Sequence, residues 1–254
     1  MTGEWQPLFN GVTTAGWTRC CRGEAFPASS WRVEDGCLRA VPGTYLNPDI
    51  ATEQNFDNFE LELEWRISPG GNSGIFYSLA PEPRFLSEFY GLSALAVGLP
   101  LLAIVLFRRR ILALAAAAAV ACAASVYVGC ALRAKASGFE MQVLDDTRHR
   151  DARDPLRSAG SLYGVIAPVN KRLRPVGEFN HVRLLVDGGH VEQWLNGTKV
   201  VEFHIDSPDF QSRALASPLS RVPGFGRKRA TPIALQHHGD AVWYRNIRVR
   251  RLAN

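Results

Sequence analysis

The sequence predicts a mainly β protein, an antiparallel β-sandwich interrupted by an apolar helical hairpin. Three observations predict it. Strand-length segments alternate apolar and polar residues with period two, as in Phe59-Glu60-Leu61-Glu62-Leu63-Glu64-Trp65-Arg66-Ile67. Turn residues punctuate those segments at short intervals, with no helix between them of the kind a parallel sheet requires. Two charge-free runs, Phe89 to Phe107 and Ile111 to Leu132, sit in mid-chain and are separated only by Arg108, Arg109 and Arg110.

The first strong strand is the 59–67 segment, with Phe59, Leu61, Leu63, Trp65 and Ile67 on the core face and charges on the other. Glu60, Glu62 and Glu64 are expected to form a solvated face. Pro69-Gly70-Gly71-Asn72 breaks it, and Gly74 to Tyr77 resumes as a second strand. Beyond the apolar runs, Phe139 to Leu144 alternates again, with Phe139, Met141 and Val143 on one face and Glu140 and Gln142 on the other. Asp145 to Pro155 is polar and looped. His181 to Val186 and Val191 to Leu195 pair across Asp187-Gly188-Gly189, and Asn196-Gly197 is a type I′ hairpin signal leading to Lys199–Ile205. Ser207 to Thr231 is rich in Pro, Gly and Ser and reads as loop. Ile233 to Gln236 and Ala241 to Leu252 close the chain as strands. Trp5, Trp17, Trp31 and Trp65 are expected in the core, and Trp194 against its own hairpin.

Each charge-free run approaches the roughly 20 apolar residues needed to cross a hydrocarbon core of about 30 Å. Three adjacent arginines are costly at mid-bilayer, so they are placed at a turn outside it. The expected arrangement is one discontinuous sandwich domain, 1–84 with 137–254, and an inserted transmembrane α-helical hairpin, 85–136, whose 87–132 stretch anchors the chain to a membrane. The alternative is a buried helix pair, but Ala113 to Ala124 offers no polar face to water. The tri-arginine turn favours the cytoplasm, which puts the sandwich on the extracytoplasmic, periplasmic face. The N-terminal Met-Thr-Gly-Glu-Trp has no signal-peptide pattern, so export would depend on the hairpin.

Net charge is +5, and removing the three turn arginines leaves 5 − 3 = +2. No concentrated basic stripe remains, which excludes nucleic acid as the expected partner. The five cysteines, Cys20, Cys21, Cys37, Cys122 and Cys130, contain no C-x-x-C spacing, so a thiolate zinc site is not expected and the redox compartment stays open.

Several polar residues suit a site on the outward face of a curved sheet. Glu140 and Gln142 lie two apart on one strand, Gln236 and His238 two apart on another, and Asp145 and His149 occupy the adjoining loop. Carboxylates, amides and imidazoles are the groups that hydrogen-bond sugar hydroxyls. Each also has a plainer reading. Glu140 and Gln142 fit the wet face of a half-exposed strand, and Asp145 and Asp146 fit a turn cap.

Scattered motifs carry a resemblance. They are Leu8-Phe9-Asn10-Gly11, Gly16-Trp17, Trp31-Arg32-Val33-Glu34-Asp35-Gly36, Phe59-Glu60-Leu61 with Glu64-Trp65-Arg66, and Gly70-Gly71-Asn72-Ser73-Gly74-Ile75-Phe76. Glu140-Met141-Gln142-Val143-Leu144-Asp145, His149 with Asp151-Ala152, and Gly160-Ser161-Leu162-Tyr163 follow. Pro175-Val176-Gly177-Glu178 with Asn180, Trp194-Leu195-Asn196-Gly197, Leu235-Gln236-x-His238-Gly239 and Arg245-Asn246-Ile247 complete the set. In this order they resemble the 3-keto-disaccharide (3-keto-glycoside) hydrolase-like domain family. The chain departs from its pattern at Ser78, where an arginine is usual, and at Phe179, where a tryptophan is usual.

The resemblance implies a concanavalin-like jelly roll and cleavage of glycosidic bonds in 3-keto-glycosides, by C2 proton abstraction and elimination followed by hydration. That chemistry needs a base, a stabiliser for an enolate oxygen and an acid for the leaving group. It implies Glu140 or His149 as base, His238 or Gln236 near the oxyanion, and Asn72, Gln142, Asp145 and Gln236 as substrate-binding residues. Asp145 would orient the base or hold a divalent metal, although no spacing demands one. The alternative is a membrane-anchored, non-catalytic carbohydrate-binding module, since one fold serves both.

Overall fold

Residues 3–20, 24–43, 47–80 and 136–253 are described in the computed structural model, and the segments on either side of 82–134 form one unit. The hairpin expected at 85–136, with the membrane contact it would make, falls almost entirely outside the described residues. Among the described residues no helix is long and apolar enough to cross a membrane.

The strands, in chain order, are β1 (Gln6–Pro7), β2 (Trp17–Arg19), β3 (Trp31–Glu34), β4 (Cys37–Ala40), β5 (Ile50–Thr52), β6 (Phe59–Ile67), β7 (Asn72–Tyr77) and β8 (Phe139–Leu144). After two short 3-10 turns come β9 (Asn180–Asp187), β10 (His190–Leu195), β11 (Thr198–His204), a helix α1 (Pro208–Ala216), β12 (Ala234–Leu235) and β13 (Val242–Arg251). They form two antiparallel sheets. The larger, sheet A, runs β11-β10-β9-β6-β13-β4-β3, with β1 on β13; the smaller, sheet B, runs β2-β5-β12-β7-β8.

Alternation dictates the layering. Leu61, Leu63 and Trp65 from β6 meet Ile75, Tyr77, Phe139, Met141 and Val143 from β7 and β8 in one core. Asp35-Gly36 and Asn196-Gly197 both place two successive residues at positive φ, as the tight β3–β4 and β10–β11 turns require. Phe139 is ringed edge-on by Phe203, Phe210 and Phe225 at centroid distances of 5.9, 5.6 and 5.7 Å. Burying such a ring is worth about 1.5–3 kcal/mol, so β8 is held firmly at the position that carries Glu140.

Three expectations need correction. The segment after Ser207 is not all loop. Ser207 caps α1 by accepting the Phe210 N–H at 3.2 Å, Pro208 and Asp209 fill the first turn, and Phe210 and Ala214 bury one side. Trp5 is half-buried outside the core, beneath Arg248 and Arg250, whereas Trp17, Trp31 and Trp65 are buried. Glu60, Glu62 and Glu64 are not a solvated face. Arg183 and Arg250 close on Glu60, which is only 2% exposed, while Arg248 pairs with Glu62 and Arg245 with Glu64. Strands β9 and β13 flank β6 and bring these arginines to it.

Candidate functional site

The core-facing residues of sheet B leave their neighbours pointing outward, and strand register arranges those neighbours in rows. Gly74 pairs with Gln142 and Phe76 with Glu140. Ala234 pairs with Phe76, and on the next rung the Gln236 N–H donates to the Gly74 carbonyl at 2.9 Å. On the other flank Met141 bridges Leu162, which sets Gln142 against Ser161 and Glu140 against Tyr163. Two hydrogen bonds fix this edge: Gln142 N–H to the Ser161 carbonyl at 3.1 Å, and Tyr163 N–H to the Glu140 carbonyl at 2.9 Å. One row therefore reads Gln236, Gly74, Gln142, Ser161. The row beside it reads Ala234, Phe76, Glu140, Tyr163.

The first row holds a concentration of unmet hydrogen-bonding capacity. Gln142 Oε1, Gln236 Oε1 and Ser161 Oγ are all buried without a hydrogen-bond partner among the described residues. Folded proteins satisfy the great majority of such atoms, so three in one row call for an explanation. Gly74 lies among them. A Cβ there would stand 2.1 Å from Glu140 Oε1, so the missing side chain is what lets the Glu140 carboxyl lie over β7. The Glu140 carboxyl makes no hydrogen bond or ion pair with another described residue, and Glu140 is 7% exposed. Burial raises its pKa well above the ordinary carboxylate value, and the nearby charge of Asp49 raises it further. Asn72 is buried beside this row, and its Oδ1 accepts from Gln142 Nε2 at 3.4 Å.

Asp49 has no signal in the sequence. It is fully buried just before β5, where Oδ1 accepts the His237 N–H at 2.8 Å and Oδ2 the Ala136 N–H at 2.6 Å. A polar residue ahead of a three-residue strand gives no periodic signal. His237 turns inward: Nδ1 accepts from Gly239 N–H at 3.2 Å, so Nε2 carries the proton and donates to the Val41 carbonyl at 3.0 Å, with Trp31 edge-on at 5.6 Å. The Gln236 carbonyl accepts from Ser73 Oγ at 2.7 Å, and Ser73 is bonded in turn to the Tyr244 hydroxyl, also at 2.7 Å. With His237 anchored this way, Gln236 and His238 fall on the opposite side of the chain, and His238 is exposed.

The two loop residues are engaged elsewhere. Asp145 Oδ2 accepts from Gly70 N–H at 2.6 Å, and Oδ1 from the Thr147 N–H and hydroxyl at 2.8 and 2.5 Å. Burial alone would raise its pKa, but these bonds outweigh it and hold the carboxyl below its usual value. The carboxylate is thus committed to the turn after β8. The cavity beside it, about 250 Å³, lies between Trp65, Leu144, Leu173 and Val176 rather than over the rows. His149 caps the turn Arg150–Arg153, with Nδ1 accepting the Asp151 N–H at 3.1 Å. Its Nδ1 is thus engaged with the turn backbone. Among the described residues, the cluster able to hold a metal ion is His190, Glu192 and Glu202 on sheet A, and Lys199 already bridges both carboxylates.

A family model described as the 3-keto-alpha-glucoside-1,2-lyase-like domain matches residues 4–93 and 118–250. The chain belongs to this family. It is accordingly of the glycoside hydrolase/lyase kind. A 3-keto-disaccharide hydrolase of Bacteroides thetaiotaomicron is 32% identical over 266 residues, spanning 96% of this chain and 77% of that protein. A crystal structure titled "putative glycosyl hydrolase", from Parabacteroides distasonis, superposes with a TM-score of 0.71 at 24% identity, covering 99% of this chain and 94% of that one. The family model passes over 94–117, inside the apolar runs, and includes every residue of the two rows.

Proposed function

We propose that the chain cleaves 3-keto-glycosides by elimination and hydration on the outer face of sheet B. The observation that carries this reading is the row of unpartnered buried atoms, Gln142 Oε1, Gln236 Oε1 and Ser161 Oγ, beside the unpaired Glu140 carboxyl. Hydroxyl groups of a sugar are the donors such a row lacks. A carboxylate whose pKa is raised is also a better base at neutral pH than an exposed one.

In this reading Glu140 removes the C2 proton, made acidic by the C3 ketone, and the electron pair moves onto the C3 oxygen as an enolate. Gln236 and His238 offer N–H donors to that oxygen. Collapse of the enolate restores the ketone, forms a C1–C2 double bond and breaks the bond from C1 to the leaving oxygen, which takes up a proton. Water then adds its hydroxyl to C1, and C2 regains a proton from Glu140. The net change is glycoside plus water to 3-keto sugar plus alcohol.

The deciding experiment offers a 3-keto-glucoside and the matching unoxidised glucoside to the protein in deuterated water. Alcohol release from the keto substrate alone, with deuterium at C2 of the product, supports the mechanism. Release from both substrates at similar rates removes it. Glycan binding with no alcohol released from either substrate replaces it with a carbohydrate-binding module. The membrane reading is part of the proposal, with 85–136 as anchor and the sandwich on the extracytoplasmic face. Cleavage of the sandwich by protease added to intact spheroplasts supports that placement, and full protection opposes it.

A further inference from the structure

One requirement of the elimination has no residue assigned above: the leaving oxygen must be protonated as its bond to C1 breaks. The group must be a donor through neutral pH, must sit beside Glu140, and must lie nearer solvent than the buried carboxyl so that it meets the departing half of the substrate.

Tyr163 meets these conditions. It stands opposite Glu140 in register and is held there by its backbone hydrogen bond to the Glu140 carbonyl, at 2.9 Å. Tyr163 opens the turn beyond the Met141–Leu162 bridge, and the Glu140 charge acts on its phenol. Tyr163 is half-buried where Glu140 is buried, and its longer side chain reaches further from the sheet. Its hydroxyl makes no hydrogen bond to another described residue. The Arg157 guanidinium covers one side of the ring at 5.8 Å from its centroid, and the following turn is closed by Gly164 N–H to the Leu156 carbonyl at 2.8 Å. The phenol is thus positioned by backbone and ring contacts while its hydroxyl stays uncommitted.

We infer that Tyr163 is a catalytic acid that donates its phenolic proton to the leaving-group oxygen during elimination. The phenolate then recovers a proton from the water that hydrates the unsaturated sugar, so the cycle closes with no net proton gained or lost. The charged groups facing Tyr163 are Glu140 on β8 and Arg157, Asp151 and Asp154 on the 3-10 turns. Burial raises the phenol pKa, Arg157 lowers it, and the three carboxylates raise it, with a net rise that keeps it protonated.

This inference rests on the proposed reaction. Its test compares 3-keto-glucosides whose leaving groups range from a simple alkyl alcohol to 4-nitrophenol. Tyr163→Phe is expected to lower kcat/KM about 100- to 10,000-fold for the alkyl glycoside, the usual range for loss of a general acid. The nitrophenyl glycoside, whose leaving group departs unaided, should lose less than about threefold. An equal fall across the series, or none, overturns the inference and leaves Tyr163 as a wall of the site. The unaltered protein supplies an independent readout that does not depend on the variant folding. Its rate on the alkyl glycoside should decline at alkaline pH as the phenol ionises, while the nitrophenyl rate does not, and parallel profiles count against the role. A folded wild-type protein that turns over neither keto substrate sinks the proposed reaction itself, an outcome distinct from either result above.

Discussion

The outer faces of the two sheets use the same kinds of residue to opposite ends. On sheet A carboxylates meet arginines: Glu60 with Arg183 and Arg250, Glu62 with Arg248, Glu64 with Arg245, and Glu34 with Arg39 at 2.6 Å. The aromatic rings there are capped by guanidinium groups, Trp243 by Arg39 and Arg66 and Phe179 by Arg245. On sheet B, among the described residues, the Glu140 carboxyl has no cation, and three amide and hydroxyl oxygens have no donor. Alternation produces both faces. What separates them is whether the neighbouring strands carry the complementary charge. On the matched face the carboxylates are neutralised, and the buried atoms there without a partner among the described residues, Arg39 Nε and Arg66 Nε, are donors rather than acceptors. An unmatched face costs stability until a ligand completes it.

The sharpest way to break this contrast is Glu140→Gln. Activity on a 3-keto-glucoside should fall by about 10³-fold or more, within the range seen when a catalytic acid–base group is removed, while the fold becomes more stable. A carboxyl whose folded pKa is raised favours the native state when protonated, and that advantage is lost as pH rises from its ordinary value of 4.5 through the folded one. The melting-temperature gain of the variant should therefore be small in acid, grow with pH and then level off. A gain of about 1 kcal/mol corresponds to roughly 2–4 °C, and calorimetry from pH 4 upward checks it. Next is Gly74→Ala, whose methyl would stand 2.1 Å from Glu140 Oε1 and push the carboxyl aside. Displacement by about 1 Å typically costs on the order of 100-fold in rate, measured as kcat/KM.

The matched face should respond the other way. Glu60→Gln leaves two arginines without their shared partner and is expected to cost about 1–3 kcal/mol in urea unfolding, with steady-state kinetics unchanged. The smallest effect belongs to Asp145→Asn, which weakens the bonds from Gly70 and Thr147 by about 1–2 kcal/mol. The Asp145 pKa is lowered on folding, so its contribution is complete above its ordinary value of 3.8 and fades as pH falls through the folded one. The penalty of the variant should shrink in acid. A kinetic defect in Glu60→Gln, or none in Gly74→Ala, would erase the division between the faces.

Much of this architecture is legible in the chain. The alternation at 59–67 and 139–144 and the Asn196-Gly197 turn reappear as β6, β8 and the β10–β11 hairpin, and they put Glu140 and Gln142 on one face. Alternation states which residues share a face but not what stands opposite. That is why Glu60 reads as solvated although distant arginines cover it. Helix α1 was masked by the surrounding Pro and Ser, despite its Ser-Pro-Asp start. Asp49 and Tyr163 join the candidate site through a three-residue strand and a single bridge, neither long enough for periodicity to register.

Gln236 directly follows β12, a strand two residues long that is wedged between β5 and β7, and its carbonyl is fixed by Ser73 from a position 163 residues earlier. That wedge therefore forms only when segments far apart in the chain have met. Catalytic competence should appear late in refolding, after most secondary structure has formed, so turnover would time the final closure of the molecule.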